Sequence, residues 1–184
     1  TEGASNIAIG VSSLNAVIGA TNNIGIGSSS GSKLISGGYN INIGNNAGAN
    51  IGSSTVGNTT GNYSIMIGTQ TRPAADGETN QIVIAGGGDG ITTVGLGSNT
   101  TLIGSSATTA ARIMGALTLP NTTSSTSTTT GALIVSGGTG IAGALNVGGA
   151  TTITGAATIS NTTASSSTTT GALKVGGGAG IVGN

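Results

Sequence analysis

The sequence has no cysteine, no histidine, no tryptophan and no phenylalanine, and only two tyrosines in 184 residues. Without Cys there is no disulfide and no thiolate site, and the redox compartment leaves no mark. Without His or Cys, and with four acidic residues in all, the side chains behind most nucleophilic, acid–base and metal chemistry are missing. The expectation is no enzyme: no catalytic residue, no cofactor-binding residue, no metal ligand and no cofactor. Four basic residues balance the four acidic ones, so no positive surface is expected for nucleic acid. No apolar run reaches the length of a membrane span, and no signal peptide is read at the start. Disorder driven by charge and low hydropathy is excluded as well, because the net charge is zero and mean hydropathy is positive.

What fills the space is 37 Gly, 31 Thr, 22 Ser and 17 Asn, over half the chain. Another 35% is apolar, nearly all Ile, Val, Leu and Ala. A chain this long could bury one large core or two small ones, but it lacks the aromatic bulk to fill them. Small and β-branched residues between frequent glycines suit stacked short strands better than a ball.

Two kinds of repeat follow. In the first half, apolar-x-apolar-Gly occurs as Ile7–Gly10, Ile24–Gly27, Ile41–Gly44, Ile65–Gly68 and Val94–Gly97. Weaker copies are Ala16–Gly19, Asn50–Gly52 and Leu102–Gly104. Gly10, Gly27 and Gly44 are 17 apart, with Gly19 and Gly52 near the midpoints. That period predicts coils of two short strands and two turns, stacked as a β-roll or β-solenoid over 1–104. Residues 69–90, with Arg72, Pro73, Asp76, Gly77 and Glu78, are expected to interrupt it as a turn-rich loop. Residues 105–114 read as a junction.

In the second half the unit is 40 residues long. Residues 121–144 and 161–184 are identical at 17 of 24 positions. Within it, Gly-Ala-apolar-x-apolar recurs from Gly115, Gly131, Gly143, Gly155 and Gly171, in steps of 16, 12, 12 and 16. Alternation within each motif predicts strands, with Thr118, Asn146, Thr158 and Lys174 on the outer face. The Ser/Thr runs 122–130 and 162–170 read as longer surface crossings. A further step of 12 lands on Gly183, so this repeat is expected to continue in a longer chain.

The apolar-x-apolar-Gly copies resemble the head repeats of trimeric autotransporter adhesins, whose fold is a left-handed parallel β-roll. They equally resemble repeats in tail-fibre proteins of phages and large viruses, to which Gly38–Gly48 is close. The stretch Thr128–Gly143 resembles repeats in structural and fibre proteins of aquatic phages. This resemblance covers most of the chain. It implies an all-β, repetitive fibrous protein: a β-roll or β-solenoid over 1–104, a junction over 105–114, and a triple-stranded β-fibre over 115–184. It further implies a homotrimer, a place on the exterior of a virion as a tail fibre or capsid-attached fibre, and support for host attachment. The implied partners are other copies of itself, other virion proteins and a host receptor or glycan. A trimeric adhesin on a bacterial cell surface is the alternative. Three chains also answer a physical need, because one thin chain leaves strand edges open and little core, while winding three together buries the Ile, Leu and Val rows. A one-chain solenoid stays open for the first half.

The remaining features have plain readings. Gly86–Ile91, with Asp89, resembles a calcium-binding turn but occurs once, and a simple turn explains it. Asp76 and Glu78 lack any partner cluster and read as turn formers. Arg72 and Arg112 are too isolated for a polyanion surface. Thr128, Thr129 and Thr130 are contiguous, so they do not form the flat Thr-x-Thr array that ice binding needs. Asn58, Asn62, Asn99, Asn121 and Asn161 each start an Asn-x-Ser/Thr sequence, as Thr-rich composition dictates. Tyr39 and Tyr63 either stack on a glycan or fill a gap. No receptor-binding residue is assigned.

Overall fold

Short Ile-rich segments flanked by glycine favour strands that end after three residues, and the chain builds one such strand per coil. The computed structural model describes residues 3–50, 57–86, 91–167 and 169–180. The strands are β1 Ile7–Ile9, β2 Ile24–Ile26, β3 Ile41–Ile43, β4 Ile65–Ile67, β5 Thr71–Arg72, β6 Ile82–Ile84, β7 Thr93–Val94 and β8 Thr101–Ile103. No helix occurs among the described residues. Six strands pair in parallel in the order β1-β2-β3-β4-β6-β8, and β5 pairs with β7 in a second small parallel sheet. Parallel neighbours joined by one circuit of chain make a β-solenoid of five coils. The register stacks like on like: Ile7 on Ile24, Ile24 on Ile41, Ile41 on Ile65 and Ile65 on Ile82.

Two expectations change. Among the described residues, the second strand of each coil is present only as β5 and β7. In the earlier coils that side is a run of turns, tied to the next coil by single bonds such as Ile18 N–H to Ile35 O at 2.8 Å. Residues 69–90 do not interrupt the solenoid as a loop, since they contain β5 and β6. Ile82-Val83-Ile84 is a full copy of the motif in which Ala85 takes the glycine position, and that substitution hid it.

The glycine that closes the motif is there for its backbone. Gly27 has φ 122, and a Cβ on it would come within 2.7 Å of the carbonyl carbon and oxygen of Gly44 in the next coil. The same φ recurs at Gly10, Gly44 and Gly68. Two further corners per coil take left-handed residues, including Asn22, Tyr39, Tyr63 and Asn80 on one edge. Asn tolerates that conformation; tyrosine does so only where its surroundings hold it.

The interior is narrow and mostly polar. In β2, β3, β4 and β6 the middle residue of the motif points inward: Gly25, Asn42, Met66 and Val83 are buried. An apolar cluster of Ala47, Met66 and Val83, with Leu102 against it, occupies the later coils. Elsewhere the buried side chains include Asn23, Ser30, Asn40, Thr71 and Gln81. A buried polar group must be hydrogen-bonded, and these form ladders along the stack.

The chain divides into two units, Thr1–Leu117 and Thr118–Asn184. The second has no strand among its described residues, and none of those residues is buried. Its order is local. Thr130 Oγ1 accepts the backbone N–H groups of Thr126 (2.8 Å) and Ser127 (3.0 Å). Forty residues on, Thr170 Oγ1 accepts those of Ser166 (2.8 Å) and Ser167 (3.0 Å). Each Ser/Thr run is thus a tight self-bonded turn, closed by Gly131 or Gly171 at positive φ. The apolar side chains between the turns stay open, from Val135 at 47% to Leu145 at 69% exposed.

Candidate functional site

If the middle residue of apolar-x-apolar points in, its two neighbours point out. The outer face of the six-stranded sheet therefore carries two isoleucine rows. One runs Ile7, Ile24, Ile41, Ile65, Ile82; the other runs Ile9, Ile26, Ile43, Ile67, Ile84, Ile103. Those at the ends are the most open, with Ile7 at 51% and Ile103 at 69% exposed, and the central ones are half-buried by their own neighbours. Neither row contains a charged side chain.

An amide ladder under this face holds the strands in register. Asn6 Oδ1 accepts the backbone N–H (2.9 Å) and the Nδ2–H (3.2 Å) of Asn23. Asn23 Oδ1 does the same for Asn40, at 2.9 and 3.1 Å. Asn40 Oδ1 accepts the backbone N–H of Ser64 (3.0 Å), and Ser64 Oγ that of Gln81 (3.3 Å). The Nδ2 groups also donate to backbone carbonyls: Asn6 to Ala20 (2.9 Å), Asn23 to Gly37 (3.0 Å) and Asn40 to Gly61 (2.8 Å). A shorter serine ladder runs beside it, with Ser13 Oγ on the Gly25 carbonyl (2.8 Å) and Ser30 Oγ on that of Asn42 (2.6 Å). The sequence reading missed the amide ladder. Its signal was there: an Asn directly before the first Ile at 6, 23 and 40, spaced by 17.

The residues weighed from sequence fall into separate structural tasks. Asp76 accepts bonds from the backbone N–H groups of Thr59 (2.7 Å) and Thr60 (2.9 Å) and from both hydroxyls. Burial raises its pKa, but these four bonds outweigh it and hold the carboxyl below its ordinary value. Glu78 accepts the Ala74 N–H (2.9 Å) and a bond from Gln81 Nε2. The two carboxylates thus pin loops. Arg72 lies in β5 and Arg112 is exposed in the junction. Asp89 and the rest of 87–90 lie outside the described residues, so the calcium-turn reading is not addressed. Among the described residues no group of three or more Asp or Glu could hold a metal ion, and no helix is long and apolar enough to cross a membrane.

Of the Asn-x-Ser/Thr asparagines, Asn58 is buried and Asn62 Oδ1 accepts the Gly38 N–H (2.8 Å). Asn99 Oδ1 accepts Asn80 Nδ2 (3.0 Å), and Asn121 and Asn161 each cap the residue two positions on, Thr123 and Thr163, at 2.8 Å. Thr128, Thr129 and Thr130 belong to the self-bonded turn. Tyr39 and Tyr63 are surface residues on successive coils, stacked on each other with ring centroids 4.9 Å apart. An open groove of about 490 Å³ lies at the last coil, lined by Val94, Leu102, Ala110 and Ala111 with Thr and Ser between. It contains no ionisable side chain. Comparison of the chain with protein-family models, with curated proteins and with solved structures returns no match.

Proposed function

We propose that this chain is a non-catalytic segment of a homotrimeric fibre on the outside of a virion, a tail fibre or capsid-attached fibre that supports host attachment. The observation that carries this reading is the pair of outward isoleucine rows on the parallel sheet. An Ile as open as Ile7 or Ile9 gains about 1 kcal/mol when covered, a central one gains less, and the gains add along the six strands. The cover that matches a periodic face best is the same face on another copy, because the repeat spacing is then identical by construction.

The second unit supports the same reading. Its apolar residues alternate as strand residues do, yet they have no buried partner in their own chain. Backbone amides in extended segments need partners, and neighbouring copies can supply both the ladder and the cover. Three chains wound about one axis satisfy this, with the self-bonded turns at the surface. The partners of the assembly are then other copies, other virion proteins and a host receptor or glycan. The task is mechanical and multivalent: several weak contacts per particle add through avidity.

Chemical cross-linking with light scattering tests the assembly. A trimer is expected, and a stable monomer at micromolar concentration would remove the three-chain reading. Labelling the chain in electron micrographs of its source separates virion from cell surface. Decoration of an anchored cell-surface layer would favour the bacterial adhesin, which shares the first-half repeat but not the resemblance of Thr128–Gly143.

A further inference from the structure

The only two aromatic side chains of the sequence are stacked on each other at the surface. Tyr39 and Tyr63 open successive coils at the same left-handed corner, with φ of 61 and 53. Coil-to-coil bonds fix both backbones: Tyr39 N–H to Thr21 O and Tyr63 N–H to Gly38 O, each 3.0 Å. The rings lie 4.9 Å apart at 9° between planes, and the residues are 53% and 57% exposed. Stacking covers one face of each ring, and both residues stay more than half exposed. The geometry holds the two phenols within reach of each other, so that side-chain rotation can bring their ortho edges together.

We propose that Tyr39 and Tyr63 form an oxidative cross-linking site that closes into an intrachain dityrosine. The co-reactant is a one-electron oxidant of the peroxide-driven haem peroxidase class. Each phenol gives up one electron and its hydroxyl proton, leaving two phenoxyl radicals. They couple through ring carbons ortho to the oxygens, forming one C–C bond. Each coupled ring then moves its ortho proton to its oxygen through solvent and regains aromaticity. Two phenols and one hydrogen peroxide give one biphenol and two waters.

Two features direct the oxidation to this pair. The chain has no Cys, Trp or His to compete. Met66 is buried, and Met114, at 94% exposed, gives a sulfoxide, a product that adds oxygen and is separable by mass. Intrachain coupling also outruns interchain coupling. Groups held in contact have an effective concentration on the order of millimolar or more, against micromolar for separate chains. The product would tie β3 to β4 across the longest step of the solenoid, 24 residues from Ile41 to Ile65, where the other three-residue strands follow at 17 or, from Ile82 to Thr101, at 19. Closing such a loop restricts the unfolded chain as a disulfide does.

The experiment treats the purified chain with hydrogen peroxide and a haem peroxidase. The readouts are dityrosine fluorescence, denaturing electrophoresis, and peptide mapping by mass spectrometry. The expected product runs at the mass of one chain, has lost two hydrogens, and yields a peptide pair joined at Tyr39 and Tyr63. It should melt about 5–10 °C higher than the untreated chain. Tyr39→Phe and Tyr63→Phe keep the stack and should each abolish the intrachain product. Dityrosine found only between chains, dityrosine fluorescence in the single-chain band that survives either substitution, or no coupling in a chain with native circular dichroism would overturn the proposal.

Discussion

Replacing Asn23 by alanine tests whether the amide ladder or the isoleucine sheet above it holds the solenoid together. Asn23 is fully buried. Its removal leaves the backbone N–H of Asn40, bonded at 2.9 Å, without its acceptor, and the Gly37 carbonyl, bonded at 3.0 Å, without its donor. Asn40 Nδ2 keeps the Gly61 carbonyl, and Asn6 Oδ1 keeps the backbone N–H of residue 23. Two buried groups are therefore stranded. At about 1–3 kcal/mol each, the loss is about 2–6 kcal/mol, against a total stability of about 5–15 kcal/mol for a domain. Asn45→Ala is the control, since its side-chain bonds, Nδ2 to the Ser28 carbonyl at 3.5 Å and Oδ1 from Asn46 Nδ2 at 2.8 Å, are both exposed; its cost should stay within about 0.5 kcal/mol. Urea titration followed by circular dichroism, at one protein concentration for all variants, measures both. A loss below about 1 kcal/mol for N23A, or equal losses for the two variants, would refute the ladder's role. Asn23→Asp sharpens the test by placing an oxygen where Nδ2 donated, facing Gly37 O and Asn6 Oδ1. That carboxyl would have a raised folded pKa. The folded state then binds more protons than the unfolded one, so N23D is least harmed in acid and loses stability as pH rises through the raised value.

Three further outcomes follow from the same geometry. Gly27→Ala should cost about 1–3 kcal/mol or more in a urea titration, because φ 122 and a 2.7 Å approach to Gly44 leave no room for a methyl; Gly86→Ala, whose Cβ meets nothing within 4 Å, should be near neutral. Asp76 has a lowered folded pKa, so its contribution is present above the unfolded carboxyl value and fades as pH falls through the folded one; Asp76→Asn should flatten the acid limb of a melting-temperature profile and leave its neutral-to-alkaline shape unchanged. Ile43→Asp puts a charge into an outward row and, on the proposed three-chain assembly, should shift light scattering toward monomer while the circular dichroism of the solenoid persists; an unchanged assembly would show that this face is not its interface.

The coil was legible because its strictest demand falls on one residue type. Only glycine takes φ near 122 beneath a close-stacked neighbour, so Gly10, Gly27 and Gly44 mark the period directly. Where the chain meets that demand differently, as at Ala85, the mark vanishes although the strand is unchanged, and Ile82–Ile84 read as loop. The second strand was over-read for a related reason. Ala16-Val17-Ile18-Gly19 has the right letters, but a coil this narrow turns that side by single bonds between coils and needs no ladder there. The candidate face was half legible: isoleucines at i and i+2 place two apolar residues on one side of a strand, but not on which side.

The interior decides which side. A residue facing inward is small, as Gly25 is, carries its own bonding partner along the stack, as Asn23 and Asn40 do, or packs in an apolar patch, as Met66 and Val83 do. In β2 and β3 the middle residues Gly25 and Asn42 are buried beside Ser30 and Asn40, and the Ile pairs on either side take the outer face. Buried apolar side chains such as Leu34, Met66 and Val83 therefore share the interior with buried amides and hydroxyls. Such a sequence places its amides where they hold register within a coil stack and keeps its apolar rows for contact with something outside it. The second unit carries the same logic further: its turns close on themselves through Thr130 and Thr170, while Leu133, Leu145 and Leu173 find no cover. Apolar rows left outside one chain, at a spacing that chain shares with every copy of itself, are most simply covered by the copies.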